Sequence, residues 1–260
     1  MKLSRVLAAS LVAAASLLSA PALATSPAAN TPMMVGVDAN KILAEVDRRA
    51  SVFDDQTYHA EMEVFKAGTL NKTLVFDAKM KGLDKQFLTF VAPGDIAGMK
   101  VLMQDAETLY IYTPEFKKVR RVAAHMQNQG FLGSAFTYED MTLVLLSPYY
   151  DATLGGREGS ETTLNLTLKE GKKLSFPRLE VVIDGTKGGV TKIRYFDGAD
   201  KMVRQQLRDD WVKIEGELMP TKITMSDLKS GDSSVIRISE VQVNTGVEDD
   251  LFSRRMLLRG

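Results

Sequence analysis

The sequence predicts a mainly β protein of the α+β class, built on one large antiparallel sheet that curves or closes into a barrel. Three observations lead there. From Gln56 to Val243, run after run alternates apolar and polar residues with a period of two, the pattern of half-buried strands. Successive runs are spaced roughly 8–12 residues apart and punctuated by Gly, Pro, Asp and Asn, which suits hairpins better than strand–helix–strand crossovers. No G-x-G-x-x-G or P-loop pattern opens a helix after a strand, so a nucleotide-binding α/β architecture has no support.

The elements follow in chain order. Residues 1–24 read as a secretory signal peptide: Lys2 and Arg5 form a positive head, Val6–Leu18 is apolar, and Ala22-Leu23-Ala24 offers the small residues that signal peptidase accepts. The apolar run is too short for a comfortable membrane span, so export to the periplasm with cleavage between Ala24 and Thr25 is expected. Residues 25–37 read as a loose leader. Residues 38–260 read as one domain, because no Pro/Gly/Ser-rich linker interrupts them. Asp38 is placed to cap a helix over 38–51 whose apolar stripe is Ile42, Leu43 and Val46, extended by Ala39 and Ala50.

Strands are then expected at 56–66, where Tyr58, Ala60, Met62 and Val64 share a face, and at 72–82, where Leu74, Phe76, Ala78 and Met80 do. Further strands are expected at 86–91, 100–104, 108–112 and 117–122. The segment GFLGSAFTYEDM (130–141) breaks the pattern, and a short apolar helix is expected to start near 138–141 and run on through Leu143–Leu146. The second half predicts strands at 162–169, 178–184, 190–196, 201–208, 210–215, 220–226 and 234–243, with turns at Asp184-Gly185 and Asp197-Gly198.

Composition excludes several function classes. Lys and Arg total 33 against 33 Asp and Glu, which gives nucleic acid nothing to hold. There is no cysteine, so neither a disulfide framework nor thiol chemistry is available. His59 and His125 are far apart, and neither has a second ligand at metal spacing; both read as strand or loop residues outside any metal site. A G-x-S-x-G elbow is absent. Glu139 and Asp140 are adjacent, and adjacent side chains diverge on a strand or a helix, so they are poorly placed to share a substrate. As acids in a first helical turn they are well placed to favour the helix dipole. No cofactor and no enzymatic activity is expected.

The apolar residues say more. The chain carries 13 methionines, side chains soft enough to fit variable apolar shapes. Met62, Met80 and Met103, with Phe76, Phe90, Tyr110 and Tyr112, are placed to line a wide cavity inside a curved sheet.

The run LYIYTPEFKKVRRVAAHMQNQGFLGSAFTYEDM resembles the signature region of the LolA-like outer-membrane lipoprotein-sorting family. The matching residues are Tyr112, Pro114, Arg120, Arg121, Gly133, Ser134, Phe136, Tyr138, Glu139 and Asp140. Trp211, the stretch Met219–Met225 and the C-terminal VNTGVEDDLFSRRMLLRG also resemble it. The resemblance implies an unclosed, strongly curved antiparallel half-barrel with a few helices in its mouth, enclosing a hydrophobic cavity. It further implies a periplasmic carrier of lipoprotein acyl chains or another lipid, working with an RND/MMPL-type inner-membrane permease or an outer-membrane acceptor. A non-enzymatic sensor or accessory protein of an envelope permease or stress pathway is the alternative use of the same fold. In this reading residues 130–141 form a lid, with Phe131, Leu132, Phe136 and Tyr138 toward the cargo. Arg120 and Arg121 then pair with Glu139 and Asp140, meet an anionic headgroup at the rim, or serve only as a solvated basic edge.

Overall fold

The structure, a computed structural model, describes residues 38–105 and 108–259; the expected signal peptide and leader lie outside the described residues. Helix α1 (Ala39–Ala50) comes first, and Asp38 caps it by accepting hydrogen bonds from the amides of Asn40 and Lys41 at 3.1 and 3.3 Å. Six strands follow: β1 (Asp55–Lys66), β2 (Thr69–Lys81), β3 (Lys85–Ala92), β4 (Lys100–Met103), β5 (Leu109–Thr113) and β6 (Lys118–Arg121). The second meander comprises β7 (Tyr150–Glu158), β8 (Glu161–Leu168), β9 (Arg178–Asp184), β10 (Gly189–Phe196), β11 (Met202–Ile214), β12 (Glu217–Asp227) and β13 (Ser233–Val243). All are antiparallel, and β1 pairs with β13 to fuse the two meanders into one 13-stranded sheet that runs from a β6 edge to a β7 edge without closing.

The period-two pattern does what physics asks of it. Ala60, Met62 and Val64 of β1 and Leu74, Phe76, Ala78 and Met80 of β2 are all buried on one face. Tight hairpins tie the meanders together: Ala67-Gly68 and Glu215-Gly216 both take positive φ at two successive residues, the twist that matches right-handed strands.

The sheet is strongly curved. In a flat sheet with strands about 4.8 Å apart, β2 and β9 would lie about 29 Å from one another. Phe76 of β2 and Leu179 of β9 instead line the same cavity. The concave face carries the main core, to which α1 contributes Leu43 and Val46. A second, smaller core lies on the convex face, where the C-terminal 3₁₀ turn at Asp249–Phe252 and helix α3 (Arg254–Leu258) bring Phe252 and Leu257 onto Phe87 and Leu102. That second core explains why β3 and β4 are apolar on both faces.

Four local expectations are corrected. Strand β7 was not foreseen, because Gly155-Gly156 and a register shift between Leu154 and Gly156 blur its alternation. The runs 201–208 and 210–215 are one strand, β11; Asp210, with φ 51°, kinks it without reversing the chain. The helix starting near 138 is only α2 (Tyr138–Thr142), and Leu143 leaves helical geometry, so the apolar stretch after it is extended packing. Finally, α3 went unpredicted.

Since β6 and β7 are opposite edges, the chain between them, residues 122–149, must cross from one to the other. It does so as a strap over the concave face, carrying α2 and a 3₁₀ turn at Phe131–Gly133.

Candidate functional site

Beneath the strap lies a cavity of about 270 Å³. Its walls come from nearly the whole sheet: Tyr58, Phe76, Ile193, Ile223 and Ile236 among others, with Val46 and Ala50 of α1 on one side and Phe136, Met141 and Leu143 of the strap above. Burial pushes the Tyr58 hydroxyl up to about 12, so it faces this space as a neutral group.

Segment 130–141 is held as a compact loop. The Phe131 amide donates to the Phe136 carbonyl at 2.6 Å, and Gly130 and Thr137 form a β-bridge. Gly133 takes φ 78°, which an L side chain resists, whereas Gly130 is required for space: a Cβ there would lie 2.9 Å from the Ser134 carbonyl. An aromatic chain welds the loop to the sheet. Phe76 and Phe90 have ring centroids 5.3 Å apart, Phe90 and Phe131 6.2 Å, and Phe131 and Tyr138 5.4 Å in an edge-on pair.

At the other end Thr137 caps α2 in a reciprocal capping box with Asp140. The Asp140 carboxylate accepts from the Thr137 amide at 2.6 Å and hydroxyl at 2.8 Å, and it also meets the guanidinium of Arg204 on β11 at 2.5 Å. Both side chains of this ion pair are only 7% exposed. Arg204 further donates to the Ala135 carbonyl at 2.7 Å and stacks between Phe176 and Tyr195, whose ring centroids lie 5.3 and 5.2 Å from it. Burial alone would lower the Arg204 pKa, but Asp140 opposite outweighs it and holds the cation above its ordinary value. Glu139 is separate: it accepts from the Ser175 amide and hydroxyl, and burial raises its carboxyl above the usual range.

The structure thus brings together some of the residues singled out from the sequence and separates others. Phe76, Met80, Phe136, Glu139 and Asp140 line the cavity. Met62, Phe90, Met103 and Phe131 lie one layer away, fully buried in the packed core of the walls and strap. Tyr110 and Tyr112 sit on the opposite, convex face, in the second core. Arg120 and Arg121 are exposed on edge strand β6, and the partner that Asp140 takes is Arg204. His59 pairs with Asp77 across β1 and β2 at 2.8 Å.

Sequence reasoning missed Arg204, Gln206, Arg208 and Tyr195. On β11 the polar parity faces inward: Gln206 and Arg208 line the cavity while Leu207 does not. The positive φ at Asp210 then breaks the alternation, so Trp211 joins Arg208 on the concave face, its Nε1 donating to the Arg208 carbonyl at 3.0 Å. Gly189 makes room for this indole, since a Cβ there would come within 2.7 Å of its Cη2.

An open, strongly curved antiparallel sheet with a strap and helices over an apolar cavity defines the LolA-like half-barrel fold. Solved structures share it. A DUF1329 family protein from Desulfovibrio piger superposes with a TM-score of 0.78 at 22% identity, over 84% of this chain and 97% of its own. A domain named for outer-membrane lipoprotein sorting, from Vibrio parahaemolyticus, gives 0.77 at 18%, over 85% and 98%. A LolA superfamily protein from Nitrosomonas europaea gives 0.70 at 18%, over 85% and 100%. No curated protein matches the chain. A family model described as "-like: Uncharacterized protein" matches residues 82–259, and the chain belongs to that family.

Proposed function

We propose that this protein is an exported, non-enzymatic carrier that shelters an acyl chain of a lipid or lipoprotein beneath the strap and ferries it through the periplasm toward the outer membrane. The observation that carries this reading is the cavity itself, walled mostly by apolar side chains on a LolA-like half-barrel. Each methylene moved from water into such a space gains about 0.8 kcal/mol, so a long chain is held firmly with no covalent step. The LolA-like fold of proteins named for lipoprotein sorting supports the same role. Residues 1–24 act as the export signal, residues 38–260 form the carrier domain, and the strap residue Phe136 with Phe76 and Met80 of the sheet contacts the chain. A membrane permease or an outer-membrane acceptor serves as donor or recipient.

The test is native mass spectrometry of protein gently purified from a periplasmic extract, with displacement of a fluorescent fatty acid. Bound lipid and saturable displacement are expected. A protein that carries no lipid and shows no saturable probe binding removes the carrier role and leaves a protein-binding sensor or accessory subunit.

A further inference from the structure

We propose that the cavity takes a single-chain amphiphile whose anionic head, a carboxylate or a phosphate monoester, is received by the guanidinium of Arg208. This inference rests on the carrier reading and specifies its ligand.

Most cations around the cavity already have an anion. Arg49 pairs with Glu45 at 3.0 Å, Lys187 with Asp184 at 3.4 Å, and Arg204 with Asp140. Arg208 is different. It lines the cavity from β11, half-buried, and among the described residues no carboxylate lies within ion-pair distance. Its Nε donates to the neutral Oε1 of Gln206 at 2.8 Å, which fixes the plane of the guanidinium and leaves the Nη1 and Nη2 edge for another acceptor. That edge is the fork that carboxylate and phosphate oxygens bind in pairs.

The surroundings offer it no internal substitute. Asp47 of α1 acts on Arg208 only through space, because its carboxylate is held by the amides of Leu146 and Ser147 at 3.0 and 2.7 Å. The Tyr195 hydroxyl is kept protonated by burial, so it supplies no charge. Burial also pushes the Arg208 guanidinium below its ordinary pKa, and the through-space pull of Asp47 offsets this only in part. A cation so placed, on the wall of a chamber lined mostly by apolar side chains, is complementary to an anion attached to a hydrocarbon tail. The tail has Phe76, Phe136 and Ile193 to lie against, and at about 270 Å³ the space suits one chain rather than several.

The experiment measures binding of three probes of equal chain length by displacement of a fluorescent fatty acid methyl ester: a free fatty acid, the corresponding fatty alcohol, and a single-chain phosphate monoester. Wild type is compared with Arg208→Gln and Arg208→Lys, each first shown to be folded by its thermal transition. Wild type should prefer at least one anionic probe over the alcohol by about ten- to a hundredfold, the worth of a charge-assisted hydrogen bond. Which anion is preferred identifies the head. Arg208→Gln should cost the anion far more affinity than the alcohol and so abolish the preference, and Arg208→Lys should keep part of it. Equal binding of acid, phosphate and alcohol by wild type, or equal loss of all three in Arg208→Gln, overturns this inference and leaves the carrier reading intact. Wild type that binds none of them overturns both.

Discussion

Arg204 and Asp140, 64 residues apart in the chain, form the buried ion pair that rivets the strap to the sheet. Each is also tied elsewhere: Asp140 closes the cap of α2, and Arg204 reaches the Ala135 carbonyl in the middle of the strap. Removing one partner leaves the other charge buried and unmatched, at a cost of about 3–5 kcal/mol. Asp140→Asn should therefore lower stability to urea by about that amount. The double variant Asp140→Leu, Arg204→Met should recover most of it, because well-packed apolar residues often replace a buried ion pair with little loss. A double variant no more stable than Asp140→Asn would show that the pair acts through its separate hydrogen bonds.

The two faces of the sheet should separate in their effects. Phe136→Asp places a carboxylate on the cavity wall, where desolvating it is costly, so affinity for a fluorescent fatty acid should fall at least tenfold. Tyr112→Ala, on the convex face, should lower the melting temperature and leave the affinity unchanged. Equilibrium titration of both variants decides this; a drop in affinity with Tyr112→Ala would mean that the convex core shapes the cavity.

One carboxylate at the start of the first strand ties stability to pH. Asp55, 4% exposed at the start of β1, accepts from the Thr245 amide and hydroxyl and from the amides of Gly246 and Val247, all between 2.8 and 3.1 Å. Burial alone would raise its pKa, but these bonds together outweigh it and hold it below the ordinary value. A depressed carboxylate stabilises the fold above its unfolded pKa, about 3.9, and that contribution is lost as pH falls through the folded value. Asp55→Asn should thus be less stable than wild type at pH 7, with the difference shrinking below about pH 4. Urea midpoints at several pH values check it, and a difference constant with pH would rule out the charge.

Gly189 and Trp211 supply an optical readout. The chain has one tryptophan, so all indole emission comes from the cavity wall. Gly189→Ala sets a Cβ into the indole and must displace it, so its emission maximum should shift and fatty acid binding should weaken. In wild type, bound lipid should protect the same emission from acrylamide. Unchanged emission in Gly189→Ala would mean that the strand yields instead of the ring.

Much of the fold was legible because strands such as β1 and β2 bury one parity only, and the periodicity names that parity directly. What the pattern could not reveal is depth. Phe76 and Phe90 share a face and face each other across β2 and β3, yet only Phe76 reaches the cavity, and Phe90 is sealed behind Phe131. Tyr110 and Tyr112 misled because the convex face of β3–β5 is also covered, by a C-terminal segment more than a hundred residues away. On β11 the rule inverted altogether: alternation would turn Val203 and Leu207 inward and Arg204 and Arg208 to water, whereas the charged residues face the concavity. Violations of patterning concentrate where a protein needs polar groups inside, and a strand reading Arg-x-x-x-Arg, each Arg directly after an apolar residue, was the one signal available.

The seam between β1 and β13 has a consequence for how the chain matures. The first and last strands lie in the middle of the sheet, while the middle of the sequence forms its two edges. Synthesis proceeds from the N-terminus, so β1 emerges with an unpaired flank and must wait for the final strand, with Phe65 destined for Ser233 and Gln56 for Val243. Until then two half-sheets coexist, each with a sticky border of free amides and carbonyls, the kind of species that aggregates. A stop codon before Ser233 would consequently remove no peripheral ornament; it would split the molecule down its centre and leave both halves without a neighbour.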